Sequence, residues 1–372
     1  MAGCRSASPV EPARLACVVS LVCTVVAAAC ATPSGSADRA TTPPPTPPSS
    51  PLRTTSLTPG QDAHVPGPES LSYGYTSVGA NQWALYAAQA KGYLIEHGIT
   101  IDENVMGSAA AGAQALAAGS LDIANSNPDP LVRAVASGAD LLFVAGTQNP
   151  PIYGLYSQKD ITAVGQLRGK TIIVGGPKDV TVYLLDRMLA PNDLRPGDYD
   201  LVYAGGTPDR LRALQSGAVH AAILNQPSEF AARREGFPLL VDTYQYVKNL
   251  PFSVFAVTRG WLEDPRNRER AARFLAAVYR GGRDLCDPAQ KEAMIRVLAD
   301  RSQLSEEDAR ETYALLIERT QAIRCDLSLT AEELQLVINY IVDMGDLPAP
   351  GPDPRRIVDT RVLQEGIVRL QR

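Results

Sequence analysis

The sequence predicts an α/β protein of two lobes, each a mostly parallel sheet flanked by helices, followed by a helical C-terminal section. Three observations carry this. From Leu71 onward short apolar β-like runs alternate with stretches of helical periodicity, the pattern of parallel strands joined by crossover helices. The alternation starts afresh near Gly169 as a second series. After Asp264 strand signals stop and only helical periodicity remains.

In order, Leu71–Tyr75 reads as a strand. Trp83, Tyr86, Ala87, Ala90 and Leu94 recur at helical spacing and predict a helix buried along one face. Ile99–Val105 is the next strand and Ala109–Ala118 an alanine-rich helix. Asp122–Asn125 and Leu141–Ala145 follow as strands, with a helix through Leu131–Ala136 between them. The second series places strands at Thr171–Val174, Leu201–Tyr203, His220–Leu224 and Leu239–Val241. Phe252–Thr258 returns as a strand, so the last section is expected to rejoin the first lobe.

The N-terminus carries a different signal. Arg5 and Arg14 precede an uncharged stretch, Leu15–Ala29, of 15 residues. That suits a signal-peptide core, whereas a membrane-spanning helix needs about 20. The stretch ends Val26-Ala27-Ala28-Ala29-Cys30, with Thr32-Pro33-Ser34 close behind. Small residues before a cysteine resemble the lipobox of bacterial lipoproteins, although Ala27 stands where that motif usually has Leu. The resemblance implies lipidation at Cys30; ordinary secretion with cleavage at the same alanines, or an uncleaved anchor, is the alternative. The following segment, with Pro43-Pro44-Pro45 and Pro47-Pro48, cannot bury enough apolar surface to offset its ordering entropy and reads as a disordered tether. The expected organisation is a signal peptide at 1–29, a tether at 30–69, lobe one at 70–157 plus 251–345, lobe two at 158–250, and a C-terminal tail with a short helix at 346–372.

Composition narrows the function. A net charge of −5 with no long basic run argues against nucleic acid as a partner. Three histidines and scattered cysteines argue against a protein zinc cage, and no metal or cofactor is expected. After export only Cys286 and Cys325 remain as ordinary thiols. Such a pair in an oxidising compartment suggests a disulfide joining two C-terminal helices, two unpaired cysteines being the other reading.

Several stretches resemble one known family in order and spacing. Trp83–Tyr93 (WALYAAQAKGY) is similar to its first helix, which ends in a Lys-Gly-aromatic turn. His97-Gly98-Ile99-Thr100-Ile101 is similar to the start of its second strand. Ala113–Ile123 (AQALAAGSLDI) and Leu167–Ile172 (LRGKTI) resemble its helix-stop and helix-to-strand turns, with Gln166 replacing an acidic residue. Leu211–Ala222 repeats the helix-Gly-strand pattern, and Val358-Asp359 with Val362-Leu363 resembles its C-terminal segment. On these residues the chain is similar to the ABC-transporter solute-binding proteins of the alkanesulfonate, nitrate, taurine and thiamine-pyrimidine type across about residues 70–365. The resemblance implies a periplasmic-binding-protein type II fold and no enzymatic activity. It also implies a small-molecule ligand, an ABC permease with its ATPase as partner, a monomeric state and a lipid-anchored place outside the cell membrane. Two rivals share that fold, a sensory or scaffold lipoprotein and a thiamine-pyrimidine synthase-like enzyme. The cysteine-rich iron motif of the latter has no counterpart here.

In an open parallel sheet, ligands bind beyond the carboxyl ends of the strands, where helix N-termini offer free N–H groups. Five loops answer this description. Their candidate ligand-binding residues are Ser77, Asn81 and Trp83; Ser108; Asn127 and Asp129; Lys178, Asp179 and Thr181; and Asn225 with Gln226. Asn149 and Tyr153 fall where the chain should first cross between lobes. Asn81, Ser108, Asp129 and Asp179 also suit helix caps, and Trp83 suits the core as well as a stacking platform. With no arginine in these loops, a neutral or weakly basic nitrogenous molecule is expected over a bare sulfonate.

Overall fold

The computed structural model describes residues 67–76 and 78–371; the expected signal peptide, tether, Cys30 and Ser77 lie outside them. Ten strands are described: β1 Glu69–Tyr75, β2 Ile99–Val105, β3 Ile123–Ser126, β4 Leu141–Gln148, β5 Gly154–Ser157, β6 Thr171–Val174, β7 Asp200–Tyr203, β8 Ala221–Leu224, β9 Leu239–Asp242 and β10 Ser253–Thr258. They form two five-stranded sheets, β2-β1-β3-β10-β4 and β7-β6-β8-β5-β9. This is the two-lobed α/β architecture expected.

Each sheet has one strand that runs against the rest. β10 is antiparallel to β3 and β4, and β5 is antiparallel to β8 and β9. These two strands are the first that the chain lays down after each crossover, β4 to β5 and β9 to β10. The sequence reading missed β5 because its four residues are all buried. Such a run has no alternation to read, and it follows directly on the crossover.

β4 lies at the edge of its sheet yet is buried at every position. The helical section supplies the cover. An extended segment of it bonds along the strand through Gly146 N–H to Leu327 O (3.0 Å) and Arg324 N–H to Thr147 O (2.9 Å), and a later stretch through Asp359 N–H to Phe143 O (2.9 Å). A covered edge has no unpaired backbone groups to offer another chain. Gly146 is needed here, since a Cβ would lie 2.6 Å from Ser328 O.

The long helix Pro265–Leu285 covers the other face of the first sheet. Asp264 caps it by accepting from the N–H groups of Arg266 (2.8 Å) and Asn267 (3.1 Å), with Pro265 in the first turn where no donor is needed. Its stripe of Ala271, Phe274, Leu275 and Val278 packs against Leu71, Tyr73, Phe255 and Val257. Cys286 ends this helix and is joined to Cys325, with Cα atoms 6.1 Å apart and a sequence separation of 39. Cys325 lies in the extended segment beside β4, so the bridge ties a helix to a loop, where a helix-to-helix link was expected. Among the described residues no helix is long and apolar enough to cross a membrane.

Candidate functional site

A cleft of about 610 Å³ opens between the two sheets. Its walls are loops that follow β1, β2 and β3 on one side and β6, β7 and β8 on the other. The two crossovers lie at its back through Gln148, Tyr153 and Phe252. This is the carboxyl edge of the parallel strands in both sheets, where the strand-to-helix loops leave backbone N–H groups unpaired.

The first-sheet floor is held by a buried polar chain. Gln82 donates through Nε2 to Asn125 Oδ1 (2.8 Å), Ser253 Oγ donates to the same oxygen (2.7 Å), and Asn125 Nδ2 donates to Thr147 Oγ1 (3.3 Å). The Tyr73 hydroxyl closes the chain on Gln82 Oε1. Four strands and the loop after β1 are thus fixed around one amide.

Seven predicted residues line the cleft: Asn81, Ser108, Asn127, Asp179, Thr181, Asn225 and Gln226. Ser108 and Asp179 also cap helices, accepting from Ala111 N (3.1 Å) and Thr181 N (2.9 Å), so capping and facing the cleft coexist. Asn127 Nδ2 donates to Phe252 O (2.7 Å) and leaves its carbonyl oxygen for the cleft. Gln226 does the same by donating to Glu229 Oε1 (2.6 Å). Asn225 presents the opposite polarity, because its Oδ1 accepts from Thr207 Oγ1 (2.7 Å) and its N–H₂ stays free.

Four expectations are corrected. Trp83 is fully buried; its Nε1 donates to Met294 O (2.8 Å) and its ring stands edge-on to Tyr313 at 5.7 Å, so it belongs to the core and offers no stacking face. Asn149 is buried behind the cleft, donating to Glu333 Oε1 (2.8 Å). Asp129 is buried against Arg133 at 2.7 Å; burial pushes its carboxyl up to about 6, with the Arg133 charge opposing that rise. Lys178 points out of the cleft to Asp346 Oδ1 (2.9 Å).

The residue that the sequence reading missed is Arg210. It lies in the helix Thr207–Gln215, on the cleft wall, and is only 2% exposed. Its Nε donates to Ile223 O (2.8 Å), Nη1 to Ala204 O (3.1 Å) and Gly205 O (3.2 Å), and Nη2 to Thr207 Oγ1 (2.7 Å). A guanidinium has five N–H donors; four of them go to these oxygens, and the Tyr153 hydroxyl is a further hydrogen-bond neighbour of the guanidinium. Among the described residues Arg210 has no ion-pair partner, although burying a charge without one is costly. The Tyr153 hydroxyl sits beside it, its phenol pushed well up by burial. The signal was present in Gly205-Gly206-Thr207-Pro208 after β7, a glycine pair before a helix like Gly175-Gly176, with the arginine one turn further on.

Asp179 supplies the opposite charge on the same wall. Its Oδ1 accepts from Thr181 N and Thr181 Oγ1 (2.9 and 2.5 Å), and among the described residues no cation pairs with it. The cleft therefore holds an unpaired guanidinium and an unpaired carboxylate at the starts of two helices that follow the adjacent strands β7 and β6.

Two α/β lobes with a polar cleft between them, crossed twice by the chain, define the fold of the periplasmic binding proteins. The chain belongs to the NMT1/THI5-like family, whose model matches residues 80–291, more than half of its length. It is similar to YtlA of Bacillus subtilis, which is named a binding protein, at 22% identity over 275 residues covering 71% of this chain and 80% of that one. Its fold matches the MOPS-bound alkanesulfonate-binding protein SsuA from Xanthomonas axonopodis pv. citri with a TM-score of 0.63 at 21% identity, over 79% of this chain and 99% of that one. It also matches the periplasmic nitrate-binding protein NrtA from Synechocystis PCC 6803 with a TM-score of 0.68 at 15% identity, over 82% and 90%. At these identities the two solved structures speak to the fold. The family expected from the sequence motifs is thus the family found.

Proposed function

We propose that this chain is the extracytoplasmic solute-binding component of an ABC importer, anchored by lipid at Cys30, which captures one small molecule between its lobes and presents it to a permease. The observation that carries the reading is Arg210, a buried guanidinium on the cleft wall with no ion-pair partner among the described residues. A ligand that brings an anionic group there supplies the missing counter-charge. The Asp179 carboxylate and the carbonyl oxygens of Asn127 and Gln226 ask for N–H donors. A small molecule with both ends, such as an amino-sulfonate or amino-carboxylate, answers both demands. A bare anion answers one, and a neutral heterocycle has no exposed Trp83 on which to stack.

Isothermal titration with 3-aminopropane-1-sulfonate, propane-1-sulfonate and propylamine tests this directly. The amino-sulfonate should bind tightest and the amine weakest. If none of the three binds and no panel of small solutes raises the melting point, solute capture is refuted. Cys30→Ser should move the protein from the membrane fraction to the soluble extracytoplasmic fraction.

A further inference from the structure

Beside the cleft, the lobes meet along a charged seam that no ligand role accounts for. Arg133, on the helix Pro128–Ala136 after β3, places Nη1 on Asp129 Oδ2 (2.7 Å) and Nη2 on Asp346 Oδ2 (3.1 Å). The same Nη2 donates to the backbone carbonyl of Lys178 (2.8 Å), in the loop after β6 of the other sheet. The Lys178 ammonium then reaches Asp346 Oδ1 at 2.9 Å. Next to this knot, Tyr183 of the lobe-two helix Val180–Leu189 stacks on Tyr340 of the helix Ala331–Asp343, with ring centroids 4.8 Å apart.

The two halves of the seam differ in preparation. Asp129 and Asp346 are both 8% exposed and hold the Arg133 guanidinium in place on the lobe-one side. Lys178 is 70% exposed on its own loop. Its neighbour Asp179 lines the cleft, so whatever holds the Lys178 peptide also holds the rim of the pocket. We infer that Arg133, Asp129 and Asp346 form the fixed half of a closure latch, and the Lys178 peptide with its ammonium forms the moving half. Opening the cleft breaks the Lys178–Asp346 ion pair and the Arg133-to-Lys178 carbonyl bond together, while the Arg133 pairs with Asp129 and Asp346 survive. The latch therefore biases the ligand-free protein toward the closed form and slows opening.

The test needs no ligand. Spin labels on Ser137→Cys in lobe one and Thr162→Cys in lobe two, with the Cys286–Cys325 disulfide intact, report the inter-lobe distance by pulsed electron resonance on the chain from residue 30 onward carrying Cys30→Ser, so that no other thiol takes the label. Ligand-free protein should show a dominant closed distance. Lys178→Ala should raise the open-to-closed ratio by about three- to fivefold, the range of an exposed ion pair. Asp346→Asn, which also takes charge from Arg133, should raise it by about tenfold. The double variant should fall short of the product, because both changes break one contact. A distance distribution unchanged in both single variants overturns the latch, as does a wild-type protein that is already open without ligand. Lys178→Ala removes an exposed side chain, so misfolding of Asp346→Asn alone leaves the test intact.

Discussion

Glu229→Gln should stabilise this protein at alkaline pH and leave it unchanged at acid pH. The Glu229 side chain is 7% exposed, and its hydrogen-bond partner is Gln226 Nε2 at 2.6 Å. Burial raises its carboxyl from 4.5 to about 7, with the Gln226 bond and the charges of Arg233 and Arg319 opposing the rise. A folded-state value above the unfolded one means that the native protein holds this proton more tightly. The associated stability is fully present below pH 4.5 and is lost as pH rises through about 7. Two and a half pH units at about 1.36 kcal/mol each make the loss about 3 kcal/mol. Gln cannot ionise but keeps the oxygen that accepts from Gln226. The variant should therefore melt about 5 °C above wild type at pH 8.5 and level with it at pH 4.5, from the entropy of unfolding a domain of this size. Thermal melts followed by circular dichroism across that range give the comparison. Asp129, also raised, contributes equally to both proteins and cancels from the difference. Equal stabilisation at both pH values, or a variant less stable at pH 8.5, would refute the reasoning.

Arg210→Lys keeps the charge but loses the fork, and should weaken 3-aminopropane-1-sulfonate by about 10- to 100-fold in titration calorimetry. Asp179→Asn should weaken the same probe while sparing propane-1-sulfonate, which has no amine to lose. Cys325→Ser opens a loop of 39 residues and should cost about 4 kcal/mol in urea unfolding, the value expected from loop-closure entropy. Gly281→Ala places a Cβ against the Ala84 carbonyl and 2.6 Å from Ala88 N on the packed helix Trp83–Ala90. Neither backbone can yield cheaply, so the loss should reach about 3 kcal/mol, read from the same unfolding curves.

Much of this molecule was legible because its signals are local. Strands β6 and β9 stand out as short apolar runs bounded by turns. The loops after the parallel strands could be named as the cleft edge, since strand polarity in a parallel sheet decides which loops share a side. What failed did so where burial depends on distant chain. β4 continues to Gln148 because residues some 180 positions later cover its edge. Trp83 joins the core because the late helix around Met294 receives its N–H.

By itself the sequence determined two α/β series, their family, and seven of the cleft-lining residues, through patterns each about a dozen positions or fewer. Only the tertiary structure decided which charges are paired. Lys178 and Asp129, within two positions of cleft residues in sequence, turn away to Asp346 and Arg133. Arg210, a turn into its helix, remains in the cleft without a counter-charge. Pairing is settled by which side chains come within about 4 Å across the fold, and the energy of a buried charge depends on that neighbour far more than on its place along the chain.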